Sequence, residues 1–421
     1  MSLTPWDRRP PSSEPIGDHE VPLRSDHLLG RRIALVVCGG IAAYRTPDLA
    51  RALRRRGADV TAFCSPESLR YVGRQALEWA TCRPLVSRLS WRAEHLADDG
   101  PFDAWLVAPA TANTIAKLAA GIADTVVTAA LAAALGRLER GQTRILVAPT
   151  LHGSLHTTVL EANVRRLAEL GVDVIAPRDA YGKHNLPDGE LIVAVVARAL
   201  AGGPLRGRRV LVTGGPTPVA IDGVRRLVNR FSGRLAIALA EDLLLRGAEV
   251  ELLLGEGSAA PPAWMPFTPI GSYDQYRERL LALAPELAAA VCSAGVADYR
   301  PRRPVAGKIA SGQPALSLEF EPTAKVIDEL RARAPQLPIV AFKYEEQAEL
   351  EQLLALARAR LDRYPLVVAN RGAETRGSQQ TAWLVSRAGE QRVEGKPAIA
   401  AAIADRLEEW FRQGGPPVTA G

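Results

Sequence analysis

The same transition occurs twice in this chain: an apolar run that ends in paired glycines, first in GRRIALVVCGG from Gly30 and again in GRRVLVTGGPT from Gly207. An unbroken run of aliphatic residues reads as a strand covered on both faces. Glycines directly after it permit a tight turn that brings backbone N–H groups close to a ligand. In the first copy, Ile33 to Val37 predicts a strand, the segment from about Thr46 a helix, and Val60 to Phe63 after Gly57 a second strand. That is a βαβ unit. Further units are expected at DAWLVAPATANTIAKLAAG, TRILVAP and GVDVIAP, which together describe an open parallel sheet covered by helices.

The second copy reaches LAEDLLLRGAEVELLLG only after a long loop. Strands are then expected at Ala289 to Cys292, Ile339 to Phe342 and Leu366 to Ala369, and helices near 346–360 and 397–412. QTAWLVSRAGEQRVEG alternates and turns at Ala388 and Gly389, which predicts a late hairpin. One core seldom grows to 421 residues, so the fold class is α/β with two Rossmann-like domains. The expected boundaries are 31–200 and 208–421, joined by the linker AGGPLRG at 201–207. Residues 1–30 are rich in proline, serine and charge and are expected to have little fixed structure.

Neither glycine pair is a GxGxxG fingerprint or a P-loop, so two mononucleotide-like sites are favoured over one NAD site. The net charge of +6 comes from arginines spread along stretches such as LARALRRRGADV, without interleaved aromatics. Solvated helix faces explain it, and no nucleic-acid partner is expected. No apolar run approaches the roughly 18 residues of a membrane span, and the N terminus lacks a signal-peptide core. The expectation is a cytoplasmic protein without a membrane partner. Cys38, Cys64, Cys82 and Cys292 form no CxxC pair, which argues against a disulfide framework or structural zinc. His152 and His156 have the spacing of helical metal ligands, but Pro149, Gly153 and Ser154 oppose a helix there and no HExxH pattern exists. No protein-held metal is expected.

Several segments resemble, in order, one family. GGIAAYR, QALEW, the His95 region and APATANTIAKLAAGIADTVV lie in the first half. TGGPTPVAIDGVRRLVNRFSG, SAGVADYRP, GKI and VAFKYE lie in the second. The family is the bifunctional phosphopantothenoylcysteine decarboxylase and phosphopantothenate–cysteine ligase of coenzyme A biosynthesis, and the resemblance covers nearly everything after Gly30.

For the second half, the resemblance implies CTP-dependent activation of 4'-phosphopantothenate as an acyl-cytidylate, which the amine of cysteine attacks with loss of CMP. Gly214 and Gly215 would cradle phosphate. Catalytic roles fall to Asn229, at the substrate carboxylate and acyl-phosphate, and to Lys308, at the nucleotide phosphate and developing charge. Arg225 binds substrate nearby, Asp298 belongs to the cytidine site, and Phe342 and Lys343 to the nucleotide loop. Mg2+ would accompany CTP, held largely through phosphates. Read without the resemblance, Asn229 could cap the helix expected near Arg234, and Lys308 could simply be solvated. Val219 departs from the family's usual Glu, and Phe231 with Ser232 from a more common serine pair. KIAS also lacks a second lysine.

For the first half, the resemblance implies FMN bound between subunits of a trimeric flavoprotein. Gly39, Gly40 and Ile41 follow its phosphate, Ser65 contacts phosphate or ribityl, and Asn113 and Thr114 lie in a second flavin segment. His95 aligns with the catalytic base. The bland reading is a surface histidine near a helix start, with Glu94 and Asp98 as acidic neighbours. Laid on the family's PxMNxxMW clamp, PTLHGSLH puts Leu151 and Leu155 at the methionines, His152 at the asparagine that binds the substrate carboxylate, and His156 at the tryptophan. The family's flap cysteine is absent, and RDAYGKHNLPDGE offers Tyr181, Lys183 and His184 instead. Two readings follow: a homo-oligomer with both activities, or an active ligase whose first half is a flavin-binding or oligomerising scaffold without decarboxylase turnover.

Overall fold

The structure is a computed structural model that describes residues 9, 16–96, 100–312, 314–376 and 379–415. The chain divides into two compact units, Met1–Leu200 and Ala201–Gly421.

The first unit opens with β1 (Arg32–Val37), α1 (Thr46–Arg54) and β2 (Asp59–Cys64). Then come α2 (Arg74–Thr81), β3 (Ala104–Ala110), α3 (Ala112–Ala120), α4 (Val126–Leu138) and β4 (Arg144–Pro149). It closes with β5 (Leu151–His152), α5 (Thr158–Glu169), β6 (Asp173–Val174), β7 (Arg178–Ala180), β8 (Lys183–Asn185) and α6 (Gly189–Leu200). The main sheet is parallel with the order β2-β1-β3-β4-β6. All seven residues of β3 are buried, which is why AWLVAPA shows no polar alternation. Thr111 caps α3 by accepting the N–H of Thr114, and Gly121, at φ 70°, ends it.

The second unit begins with β9 (Arg209–Gly214), the ribbon of β10 (Val219–Ala220) and β11 (Arg226–Leu227), and α7 (Arg234–Leu245). It continues through β12 (Glu249–Gly255), β13 (Thr268–Ile270), α8 (Tyr273–Leu283), β14 (Ala289–Cys292) and a second ribbon of β15 (Tyr299–Pro301) and β16 (Phe320–Pro322). The remaining elements are α9 (Val326–Arg333), β17 (Ile339–Glu345), α10 (Leu350–Arg358), β18 (Leu366–Arg371), β19 (Thr375–Arg376), β20 (Gln379–Ser386), β21 (Gly389–Glu394) and α11 (Lys396–Arg412). Strands β13-β12-β9-β14-β17-β18 are parallel, and β20 adds antiparallel to β18 with β21 as its hairpin partner. Apolar clusters cover both faces of this sheet, one built on Val210, Leu239 and Ile403, the other on Leu211, Leu280 and Leu353.

Two boundary expectations change. Residues 16–30 are tied down: Leu28 is fully buried and donates its N–H to Arg56 O at 2.8 Å, and Arg24 does the same to Arg55 O. Burying one leucine stabilises by about 2 kcal/mol, which composition alone does not reveal. Residues 1–8 and 10–15 lie outside the described residues. The 201–207 segment is part of the second unit instead of a free linker. Leu205 enters its core, and Gly207 N–H meets Gly247 O at 3.0 Å.

Cys38, Cys64 and Cys292 are buried free thiols, and Cys82 is exposed. Burial pushes Cys38 up to about 11 and Cys64 and Cys292 up to about 12. Little thiolate therefore exists at neutral pH to react. Maleimide labelling of the native chain should modify Cys82 alone, and the three buried thiols only after denaturation, as counted by mass spectrometry.

Candidate active sites

In the second unit the chain passes from β9 to β12 on one side and later returns to β14 on the other. The carboxyl ends of β9 and β14 mark the topological switch point, where such sheets bind ligands. Gly215 has φ 72°, and a Cβ there would stand 1.8 Å from Ser258 Oγ; one on Gly214 would stand 2.3 Å from Ala236 Cβ. Packing by itself demands both glycines. Gly295 N–H donates to Gly215 O at 2.8 Å, and Ala297 N–H to Thr217 Oγ1 at 2.8 Å, so the loops after β9 and β14 are cross-bonded. Helix α7 starts at Gly233 without a side-chain cap, and Gly233 packs against Gly215. Its first N–H groups lie beside the glycine turn, an arrangement suited to phosphate.

Asn229 does not cap α7. Its Nδ2 donates to Gly295 O at 3.1 Å and Val296 O at 3.2 Å. With both amide hydrogens used, the group it can turn to a ligand is the acceptor Oδ1, whereas the expected role needed a donor. Its structural contribution is to hold the β14 loop. Asn229→Asp would set a carboxylate against two carbonyls, so the ligase activity that the resemblance implies, read as CMP release, should fall further in the Asp than in the Ala variant, which leaves those carbonyls merely unpaired.

The other expected residues are distributed as follows. Arg225 reaches Asp222 and, at 3.4 Å, Ile309 O. Lys308 is exposed and makes no ion pair among the described residues. Asp298 is paired with Lys325. Phe342 and Lys343 lie on β17, and Lys343 Nζ meets Glu345 Oε1 at 2.6 Å. Phe231, the departure from the family's serine, packs on Gly295, where a Cβ would stand 2.3 Å from the ring. It also meets Tyr344 edge-on at 5.3 Å, forming an aromatic wall that the sequence did not announce.

In the first unit the loops after β1, β2 and β3 converge. Ser65 N–H donates to Val37 O at 3.1 Å, and a Cβ on Gly40 would lie 3.5 Å from Thr111 Cγ2. A Cβ on Gly39 would stand 2.4 Å from that of Glu67, so this glycine is required by the chain's own packing. The short helical turn at Ile41–Arg45 has no side-chain cap on its first N–H groups, and Ile41 itself is exposed. Asn113 is exposed on the first turn of α3. Ser65 Oγ accepts the N–H of Ser68 at 3.2 Å, and Thr114 is buried with its hydroxyl on Thr111 Oγ1 at 3.2 Å. Thr114 therefore supports the rim from below. Uncapped backbone donors plus an exposed amide and apolar side chain suit a flat, phosphorylated cofactor.

His95 sits on the irregular stretch between α2 and β3, not at a helix start, and its Nδ1 is buried without a hydrogen-bond partner among the described residues. Glu94 is engaged by Ser90 N–H at 2.9 Å, and Asp98 lies outside the described residues.

His152 and His156 turn apart. His152 Nδ1 bonds Ser154 Oγ at 2.8 Å, so the ring expected to meet the substrate carboxylate has one nitrogen occupied locally. His156 instead enters a chain: Glu161 Oε1 to His156 Nε2 at 3.0 Å, His156 Nδ1 to His184 Nε2 at 2.8 Å, and His184 Nδ1 to Asp179 Oδ1. Three consecutive bonds need three N–H protons on two rings, one more than two neutral imidazoles carry. Closing all three bonds at once therefore takes one proton more than the neutral pair holds. The row of bonds crosses the antiparallel sheet β5-β8-β7, in which Leu151 pairs with His184, and whose hairpin turns at Tyr181 and Gly182, both at positive φ.

Residues 23–201 match the family model described as Flavoprotein, and residues 205–411 match the one described as DNA/pantothenate metabolism flavoprotein C-terminal domain. The coenzyme A biosynthesis bifunctional protein CoaBC of Thermococcus kodakarensis is 37% identical over 359 residues, 82% of this chain and 87% of that protein. The chain belongs to the CoaBC family. CoaBC of Mycolicibacterium smegmatis is 31% identical over 415 residues, covering 91% of this chain and 98% of its own length. That of Bacillus subtilis is 31% identical over 362 residues, covering 82% and 86%. As a CoaBC-family chain it is an enzyme, and each of the two loop clusters lies within one of the two matched domains. Among the described residues no helix is long and apolar enough to cross a membrane.

Proposed function

We propose that the second unit ligates 4'-phosphopantothenate to cysteine at the expense of CTP. The observation that carries this reading is the uncapped start of α7 beside the Gly214–Gly215 turn. The substrate carboxylate oxygen attacks the α-phosphorus of CTP and pyrophosphate departs. The cysteine amine then attacks the acyl carbon, and CMP leaves with the bonding pair of the acyl–oxygen bond. Both steps gather negative charge on phosphate oxygens, which backbone N–H groups and the Lys308 ammonium stabilise. Among the described residues no three His, Cys, Asp or Glu side chains converge on a metal-sized site, so Mg2+ would be held mainly by the nucleotide's phosphates.

The first unit, in the same reading, decarboxylates phosphopantothenoylcysteine. FMN held by the first-turn N–H groups at Ile41, with Ser65 and Asn113 at the rim, would accept and return a hydride equivalent. His95 removes a proton from the substrate. His152 meets the carboxylate with its Nε2. The His156–His184 pair supplies the proton needed at the end, in place of the thiol expected on this hairpin. Ile41 and Tyr44 are exposed apolar side chains at the rim, and a second copy of the chain would cover them.

Incubation with CTP, 4'-phosphopantothenate and cysteine should yield CMP and pyrophosphate; none would overturn the ligase reading. Anaerobic CO2 release from phosphopantothenoylcysteine tests the first unit. Visible flavin absorbance without CO2 would favour the scaffold instead.

A further inference from the structure

Asp222 lies in the turn between β10 and β11, and its side chain has no exposed surface. A carboxylate so placed must be fully hydrogen-bonded to remain charged. Oδ1 accepts the N–H groups of Val224 at 2.8 Å and Arg225 at 2.6 Å, and Oδ2 accepts Arg225 Nη1. Those three donors are local. The fourth is the N–H of Ile309, 3.0 Å from Oδ2 and 87 residues downstream.

Ile309 belongs to the irregular stretch between β15 and β16, which also carries Lys308. Val305 N–H donates to Ile221 O at 3.2 Å, and Gly223 N–H to Gly307 O at 2.6 Å. Residues 305, 307 and 309 are therefore each fastened to the turn at 221–223, while Lys308, between two fastened neighbours, is exposed. The contact at Gly223 leaves little room, since a Cβ there would stand 3.0 Å from Gly307 O. Of these ties only the Asp222–Ile309 bond has a charged acceptor, the stronger kind. Consistent with this, Asp222's carboxyl is held far below the usual range, first by the Ile309 N–H and then by the other donors.

We propose that Asp222 is a positioning residue for the ligase reaction: it clamps the backbone at Gly307–Ile309 so that Lys308 is presented to the nucleotide phosphate. The assignment rests on the ligase reading above. Lysine is a point charge on a flexible stem, so the precision of its placement comes mainly from its backbone. Fixing that backbone before substrate binds removes an ordering cost from the transition state. Arg225 is then largely committed to completing the Asp222 cluster, with only part of its guanidinium left for substrate.

The test is a double-mutant cycle on the full chain, read as CMP release. Asp222→Asn keeps the shape but replaces one of two oxygens, each of which accepts two N–H donors, by an NH2 that cannot accept, and leaves the other a weaker, uncharged acceptor. It should lower kcat roughly ten- to hundredfold, the loss of one charged hydrogen bond, with KM for cysteine unchanged. In the Lys308→Gln background the same substitution should cost less than about twofold, because residues acting as one unit are not additive. Equal losses in both backgrounds would show a purely structural role and overturn the proposal. Should Asp222→Asn fail to fold, Ile309→Pro removes the same bond from the loop side and must show the same non-additivity. Hydrogen exchange across residues 305–312 reads the tether without turnover: faster exchange in Asp222→Asn is expected, and unchanged exchange would overturn the tether. Absence of CMP formation by the unsubstituted chain, with the exchange difference present, would overturn the ligase reading and Lys308's part in it, leaving the tether standing.

Discussion

Lys308→Gln should lower CMP release about 10²- to 10³-fold, the range typical of losing one donor to developing charge. Lys308 is exposed and makes no ion pair among the described residues, so its ammonium is not consumed by structure. The substitution preserves a polar, flexible side chain and removes only charge and some length. Thermal stability should therefore hold within about 0.5 kcal/mol, as for other surface substitutions. The loss should appear in kcat and kcat/KM together, because the charge it meets is greatest in the transition state. Lys308→Arg retains the charge on a broader, planar group and should recover part of the rate. A Lys308→Gln enzyme with unchanged kcat would leave the α7 N–H groups as the only phosphate donors the ligase mechanism uses.

His95→Asn should reduce CO2 release roughly 10²- to 10⁴-fold, as expected when a general base is lost. Asparagine keeps a donor and an acceptor but cannot take up a proton at neutral pH. Because His95 Nδ1 has no hydrogen-bond partner among the described residues, the substitution breaks no hydrogen bond with them. Flavin absorbance should survive, since the proposed FMN contacts lie at Ile41, Ser65 and Asn113. CMP release should be unaffected, which makes the ligase an internal control. Full CO2 release by the variant would remove His95 from the mechanism, and its absence in the parent chain would support the scaffold reading.

Much of the fold was legible because its elements are specified locally. The strands at Ile33–Val37 and Ala289–Cys292 were bounded to within a residue, since an apolar run flanked by glycine or polar residues has few alternatives. The helix expected near 346–360 begins only at Leu350, because β17 runs on to Glu345 through half-buried Lys343 and Tyr344, residues that a purely apolar pattern would exclude. Segments 16–30 and 201–207 were misjudged for the same reason in reverse. In each a single leucine, Leu28 or Leu205, enters a core, and one apolar residue makes no periodicity.

The candidate sites divide along the same line. Their glycine turns, His95 and Lys308 stand in short contiguous motifs, so residue types and a family resemblance located them. Asp222 was within a quoted motif yet drew no attention, because its decisive partner is Ile309. The pairing of His156 with His184 likewise joins positions 28 residues apart. Sequence by itself determined which segments become strands and helices, that there are two α/β units, and which backbone turns can meet phosphate. All of these follow from local periodicity and the conformational freedom of glycine. Tertiary structure alone decided that Asn229 spends its amide on the β14 loop, that Phe231 uses the space at Gly295, and that His156 and His184 meet each other between Glu161 and Asp179. Hydrogen bonds act over about 3 Å, and only folding brings such distant positions within that reach.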